Sequence, residues 1–243
     1  MLKKQSFTTN IISSLLSQSD YEWSDDFIKS FLEEPNCHLY GWGPILTYQP
    51  YTEILRQGSP SNAVYYIKTG VVKLLWSDKE GNELIAGLRH QNWFIGAASA
   101  LLNKPYSFTV KTITECKMKC ISTDNFLNLI NNNYEFTLHL LKMLSHEIYN
   151  HGRKIVIFGC VGAKDRLRNL LRNFIEKIEH NTNFRDLKIH FPLTYREIAQ
   201  IIAVTPEHLC RLLRDFEKQK VIKREKDGII FLDINYFKKS DNY

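Results

Sequence analysis

The sequence predicts an α+β fold in three successive parts: a barrel or sandwich of short strands, one long helix, and two short helices with a β-hairpin. Three observations carry this reading. From about Leu39 to Thr123 short β-rich runs alternate with turn signals. From Tyr134 to Phe158 apolar residues recur at alternating three and four spacing. The stretch Leu193 to Ile222, LTYREIAQIIAVTPEHLCRLLRDFEKQKVI, holds two capped helix starts in close succession. The boundaries that follow are 1–36 for a helical lead, 37–133 for the strands, 134–158 for the long helix and 159–243 for the C-terminal unit.

In the lead, Ser24 can cap a helix carrying Phe27, Ile28, Phe31 and Leu32, which Pro35 ends. Packing is the plain role for this helix, and a partner contact the sharper one. Strands are expected at Ile45 to Tyr48, Glu53 to Arg56, Val64 to Lys68, Val71 to Trp76, Glu83 to Arg89, Ser107 to Ile113 and Cys116 to Ile121. Gly58, Gly70 and Gly81 punctuate them, the last within a hairpin turn over Asp78 to Asn82.

On the long helix, Leu141, Leu144, Ile148, His151, Ile155 and Phe158 form a coiled-coil seam, the pattern of a helix that pairs with a second copy. The alternative is a helix packed on its own strands. Gly159 and Gly162 follow as a candidate hinge. Asp165 to Ile178 resumes helix, and a polar loop over Glu179 to Asp186 precedes a strand from Leu187 to Phe191.

Thr194 and Glu197 make a T-x-x-E capping box, in which each side chain satisfies an orphan backbone N–H. Ala203-Val204 is brief enough to be only a turn. Thr205 caps the next helix, with Pro206 at the first helical position, where a missing N–H costs nothing. Leu209, Leu212, Leu213 and Phe216 form its buried face and leave Glu207, His208, Arg211, Arg214 and Asp215 outward. A basic strand, an Asp-Gly turn and an apolar strand, Lys223 to Leu232, complete a winged helix-turn-helix.

Such a helix suits double-stranded DNA. Arg211 can donate two parallel hydrogen bonds to the O6 and N7 edge of guanine, and Glu207 can accept from the amine of cytosine. Thr205, His208, Arg214, Lys223, Arg224 and Lys226 are expected at the phosphate backbone, where contacts position without specifying. A plain helical hairpin whose Glu207 and Arg211 form a surface ion pair is the competing reading.

T-x-x-E-I-A, then T-x-E-x-x-x-R-L-L-x-x-F-E, then a two-stranded wing, resembles the DNA-binding domain of the CRP/FNR transcription regulators. ILRQGSPSNAVYYIKTGVVKLLWSDKEGNELI followed by FIGAASALL is similar to the jelly-roll-like β-roll of cyclic-nucleotide-binding domains. The resemblance covers about Leu39 to Leu232. It implies a homodimer on a palindromic site, Glu207 and Arg211 as the base readers, and a loop near 179–186 able to touch RNA polymerase. Pro206 stands where the cyclic-AMP receptor branch has another arginine, so the outer part of the DNA site is expected to differ.

The departures bear on the effector. Nucleotide-binding members place a glutamate after Phe-Ile-Gly for the ribose, and an arginine beside a serine for the cyclic phosphate. Here Gly96 is followed by Ala97, and Tyr106 precedes Ser107, so the pocket is degenerate. Tyrosine replaces a bidentate arginine poorly. No ordinary cyclic-AMP binding is expected, and His151 beside Gly152 departs further from the residues that hold the base.

No metal is expected. In a strand Cys116 and Cys120 lie roughly 13 Å apart and cannot share one ion, and Cys37 stands alone where FNR has a cysteine cluster. Haem stays open, since His38, His90, His139, His146 and His151 all offer an axial ligand and their spacing favours none.

The 243 residues include 44% apolar and 24% charged side chains, with a net charge of +6. Val161 to Tyr243 holds 17 Lys+Arg against 12 Asp+Glu, so nearly all the excess lies with the helix-turn-helix. No apolar run is long enough to span a bilayer, and Met1 to Ser30 lacks the core of a secretory signal, so a cytoplasmic protein without membrane contact is expected. Five cysteines without a C-x-x-C suit a reducing compartment. The absence of G-x-x-x-x-G-K, G-x-S-x-G and H-E-x-x-H argues against an enzyme. The expected function is a sequence-specific transcription regulator. The rival is a cyclic-nucleotide- or haem-sensing module that uses its helix-turn-helix for protein contact.

Overall fold

Eight strands of the first half pair as two four-stranded antiparallel sheets, ordered β1-β8-β3-β6 and β2-β7-β4-β5. They are β1 (Leu46–Tyr48), β2 (Glu53–Leu55), β3 (Ala63–Thr69), β4 (Val71–Ser77), β5 (Glu83–His90), β6 (Trp93–Ile95), β7 (Thr109–Thr112) and β8 (Cys116–Ser122). The computed structural model describes residues 26–33, 37–179, 187–189, 193–225 and 228–238. Contacts divide the chain into two units, 20–151 and a second containing 152–243.

The helices of the first half are α1 (Asp26–Glu33), α2 (Ala97–Leu101) and α3 (Thr123–Asn132). The seven expected strands are all present. Strand β6, helix α2 and helix α3 were not expected, because Trp93–Ile95 is too short to show a period and Ser122 does not stand out as a cap. It is one, its hydroxyl accepting from the Asn125 N–H at 3.3 Å.

Alternation along β3 explains the two cores. Ile67 points between the sheets, where Leu55, Val72, Val110 and Met118 meet it. Val64 and Tyr66 point the other way, into a second core completed by Phe94 and Ile121 from the sheet and by helical side chains. Ile28, Phe31 and Leu32 of α1 are buried there, so the packing role of the lead helix holds for its described residues. Ser24 lies outside the described residues.

The long helix, α4, runs Tyr134–Cys160. Phe136, Leu140 and Met143 bury its first half against the second core. Within the expected hinge span Gly159 to Gly162, Gly159 and Cys160 are helical and the Val161 N–H still reaches the Ile157 carbonyl at 2.9 Å, so the break between helices falls at Val161 and Gly162. The helix continues because that ladder outweighs the modest helix penalty of one glycine.

The second unit contains α5 (Ala163–Glu179), α6 (Tyr195–Ile201), α7 (Pro206–Lys218) and α8 (Ile234–Lys238). Its sheet has the order β10-β11-β9, from β9 (Leu187–Ile189), β10 (Ile222–Glu225) and β11 (Gly228–Phe231). The wing pairs Ile222 with Phe231 and Glu225 with Gly228. Lys226, Asp227 and the loop 180–186 lie outside the described residues.

Candidate DNA interface and effector cavity

The capping box closes as its spacing requires. The Thr194 N–H donates to Glu197 Oε2 at 2.8 Å, and the Glu197 N–H to Thr194 Oγ1 at 3.2 Å, which fixes the start of α6. Ala203, with φ of 53°, turns the chain in the left-handed region toward α7. There Thr205 accepts from the His208 N–H at 3.2 Å with Pro206 just inside the helix.

Helix α7 buries Leu209, Leu212, Leu213 and Phe216, and this leaves Glu207, Arg211 and Arg214 exposed on the other side. Those three residues line one open groove with Pro206 and Cys210. The Glu207 carboxyl is held below its usual range first by its own backbone N–H, then by the Thr205 hydroxyl, with the charge of Arg211 contributing least. Glu207 is therefore an acceptor near neutral pH, and its head is aimed by the cap. His208 is half-buried rather than fully outward.

Two of the expected backbone contacts are placed differently from free cations. Arg224 is engaged by Glu217: Nε lies 2.9 Å and Nη2 2.7 Å from Oε2, and the Arg224 N–H donates to Oε1 at 3.0 Å. The Glu217 carboxyl is lowered mainly by this bonding. A forked pair between α7 and the wing fixes their relative placement, a purpose that the basic run at 223–226 does not reveal. Lys223 is exposed with Glu225 at 3.7 Å, and Lys226 lies outside the described residues.

Arg166 escaped the sequence reading. Its Nε donates to the Ile202 carbonyl at 2.8 Å and its Nη2 to Ala203 at 3.3 Å, while Nη1 reaches Val161 at 2.6 Å and Phe158 at 3.4 Å. One guanidinium thus satisfies the last carbonyls of both α4 and α6. Spacing offered no signal, since the Ile202 and Ala203 carbonyls lie 36 and 37 residues from Arg166.

Along α4 the proposed seam is largely uncovered. Ile148 and Ile155 are 74% and 73% exposed and Leu141 57%; His151 and Phe158 are exposed, and Leu144 is half-buried at the edge of the second core.

In the β-roll, a cavity of about 110 Å³ is lined by Gly96, Ala97, Tyr106 and Ser107 together with Arg89 and Glu147. Tyr106 is buried, its hydroxyl donating to the Ala63 carbonyl at 2.7 Å and accepting from the Ala63 N–H at 3.0 Å. Gly96 has φ of 86°, and a Cβ there would meet the Ala63 carbonyl at 2.9 Å and the Tyr106 ring at 3.1 Å. The Arg89 guanidinium is ion-paired with Glu147 of α4 and sits 5.2 Å from the centre of the Trp93 ring.

Cys116 is buried between the sheets, where burial pushes its thiol up to about 11. Among the described residues no three His, Cys, Asp or Glu side chains gather as a metal site would need. The histidines that left haem open are spread over a short turn (His38), the end of β5 (His90) and α4 (His139, His146, His151).

A double-sheet roll, a long amphipathic helix and a winged helix-turn-helix define a DNA-binding transcription regulator. Residues 45–133 match the cyclic nucleotide-binding domain family and residues 165–239 the Crp-like helix-turn-helix domain. The chain belongs to the CRP/FNR family, whose members are transcription regulators rather than enzymes. It is 25% identical over 208 residues to the cAMP-activated global transcriptional regulator CRP of Salmonella typhimurium, covering 85% of this chain and 94% of that one. It is 23% identical over 182 residues to electron transport regulator A of Shewanella oneidensis, covering 74% and 72%. In structure it resembles the c-di-GMP responsive regulator CLP of Xanthomonas campestris, with TM-score 0.69 and 16% identity over 80% of this chain and 96% of that one. FixK2 of Bradyrhizobium japonicum aligns with TM-score 0.63 and 16% identity, covering 80% and 95%.

Proposed function

We propose that this regulator acts as a homodimer on a palindromic site, with Glu207 and Arg211 reading bases in each half-site and no ordinary cyclic nucleotide as effector. The observation that carries the reading is the division of α7 into a fully buried apolar face and an exposed face of Glu207, Arg211 and Arg214. That is the geometry a helix needs to enter a major groove while its other side stays in the domain core. Thr205, His208, Arg214 and Lys223 flank it as phosphate contacts.

Dimerisation is supported by the uncovered Leu141, Ile148 and Ile155, which repeat every seven residues, with Leu144, His151 and Phe158 each three residues further on. A twofold pair of winged helices matches two half-sites one turn apart. RNA polymerase is a further proposed partner, through the segment 179–186.

The cavity argues against a cyclic nucleotide. Its wall presents Ala97 and a committed Tyr106 where ribose and phosphate partners would be needed. Haem enters the proposal only as a test. No described helix is long and apolar enough to cross a membrane, in keeping with the proposed place of action on DNA in the cytoplasm.

The test is selection from random duplex DNA by the purified protein, alone and with cyclic AMP, cyclic GMP or haem. A palindrome enriched without additions is the expected result. Enrichment only with a cyclic nucleotide would overturn the effector reading, and ligand affinity without DNA enrichment would favour the module that uses its helix-turn-helix for protein contact.

A further inference from the structure

Among the described residues Arg89 is the one cation lining the β-roll cavity, and its side chain is only 11% exposed. Its guanidinium carries three engagements: the ion pair to Glu147 Oε1, a 2.7 Å hydrogen bond to the Leu88 carbonyl, and the Trp93 ring face. Glu147 also lies 3.7 Å from His151 and is 27% exposed, so it has somewhere to go if it leaves Arg89. The remaining wall is mostly apolar, with Leu55, Leu74, Phe108, Val110 and Leu144 in its lining, and with Ser99 and Ser107 among its few hydroxyls.

We infer that this cavity is a site for a short-chain monocarboxylate, which takes Arg89 from Glu147 and so transmits its presence to α4. Three properties select that chemistry. A carboxylate can accept two parallel bonds from the guanidinium as the Glu147 carboxylate now accepts one. It carries one negative charge, so exchange leaves the buried charge balanced, whereas a dianion leaves one charge uncompensated. The apolar wall favours a hydrocarbon tail, and a volume of about 110 Å³, below the roughly 150 Å³ of a cavity that takes one benzene, favours a short one.

The transmission is local. Glu147 is one residue from Ile148 of the exposed stripe and one turn from His151, so freeing its carboxylate changes the charge beside the surface proposed to meet a second copy. A ligand shifts such an equilibrium only by its difference in affinity between the two arrangements, and competition for one guanidinium supplies that difference. This inference deepens the reading of the β-roll as the sensing half of a regulator and rests on it for its effect on DNA.

The experiment is calorimetric titration of the full chain with acetate, propionate and butyrate, with propionamide as the neutral isostere and inorganic phosphate as the dianionic control. Wild type should bind propionate or butyrate in preference to propionamide. Glu147→Gln, which removes the competing anion, should bind it about tenfold tighter; Arg89→Gln should lose it, and Arg89→Lys should retain a weakened part. A merely structural pair predicts no tightening in Glu147→Gln. Equal affinity for propionamide, a preference for phosphate, or unchanged binding in Arg89→Gln would each overturn the proposal, and so would no tightening in Glu147→Gln. Palindrome selection repeated with and without butyrate separates the two readings. Carboxylate binding of the stated signs without DNA selection sinks the regulator reading alone, and DNA selection without carboxylate binding sinks the site alone.

Discussion

Arg166 Nε donates to the Ile202 carbonyl at 2.8 Å, and through this bond the start of α5 holds the turn of the helix-turn-helix. The same guanidinium reaches the Val161 carbonyl at 2.6 Å, so one side chain closes two helix ends. Arg166→Ala should destabilise this unit by about 1.5–3 kcal/mol, the range for hydrogen bonds to charged groups. Arg166→Lys should recover less than half of it, because an ammonium cannot span carbonyls on both sides. Urea unfolding of the full chain measures both, and a lysine variant as stable as wild type would show that charge rather than the fork matters.

Ala203 occupies the left-handed region at φ of 53°, where a Cβ is strained, and its side chain is exposed. Ala203→Gly should therefore raise stability by about 0.5–1 kcal/mol, the strain relieved exceeding the added freedom of the unfolded chain. Lys220, with φ of 56°, ends α7 in the same way. A lower denaturation midpoint for Ala203→Gly would mean that the methyl group packs in a way its exposure does not indicate.

Glu217 and Arg224 make a pH-dependent tie between α7 and the wing. The Glu217 carboxyl is depressed by its bonds to Arg224, so its contribution is fully present above the unfolded carboxylate value of about 4.3 and is lost as pH falls through the lower folded value. Glu217→Gln should cost about 1 kcal/mol at pH 7, since both side chains are more than a quarter exposed and water screens them. Stability of the mutant and wild type compared from pH 7 down to pH 3 should converge at the acid end. A gap that stays constant with pH would deny the carboxylate's part.

Tyr106→Phe removes both partners of the Ala63 backbone group, the hydroxyl that accepts from its N–H and donates to its carbonyl. A loss of about 1 kcal/mol is expected for the two part-buried hydrogen bonds, with no gain in cyclic-AMP affinity by equilibrium dialysis. A variant of unchanged stability would mean that water replaces the hydroxyl.

On DNA, Arg211→Ala should cost about 1–3 kcal/mol on the selected site and relax preference at one base pair. Lys223→Ala should weaken specific and random duplexes alike and reduce the salt slope by about one. Equal losses on both duplexes for Arg211→Ala would remove it from the base-reading role.

What the sequence determined by itself is what depends on neighbours along the chain. The capping box of Thr194 and Glu197, Pro206 inside its helix, the buried stripe of Leu209, Leu212, Leu213 and Phe216, and seven of the eight roll strands all follow from period and local hydrogen bonding. Tertiary structure decided what depends on residues far apart. Arg224 read as a phosphate contact in a basic run, yet Glu217 engages it; the break read over Gly159 to Gly162 falls at Val161 and Gly162, with Gly159 inside the helix. The Arg89 pair joins residues 58 apart, and Arg166 reaches carbonyls 36 residues away. An ion pair or capping bond of that span fixes geometry only after the chain has closed the loop between its ends, so it leaves no period in the sequence to read.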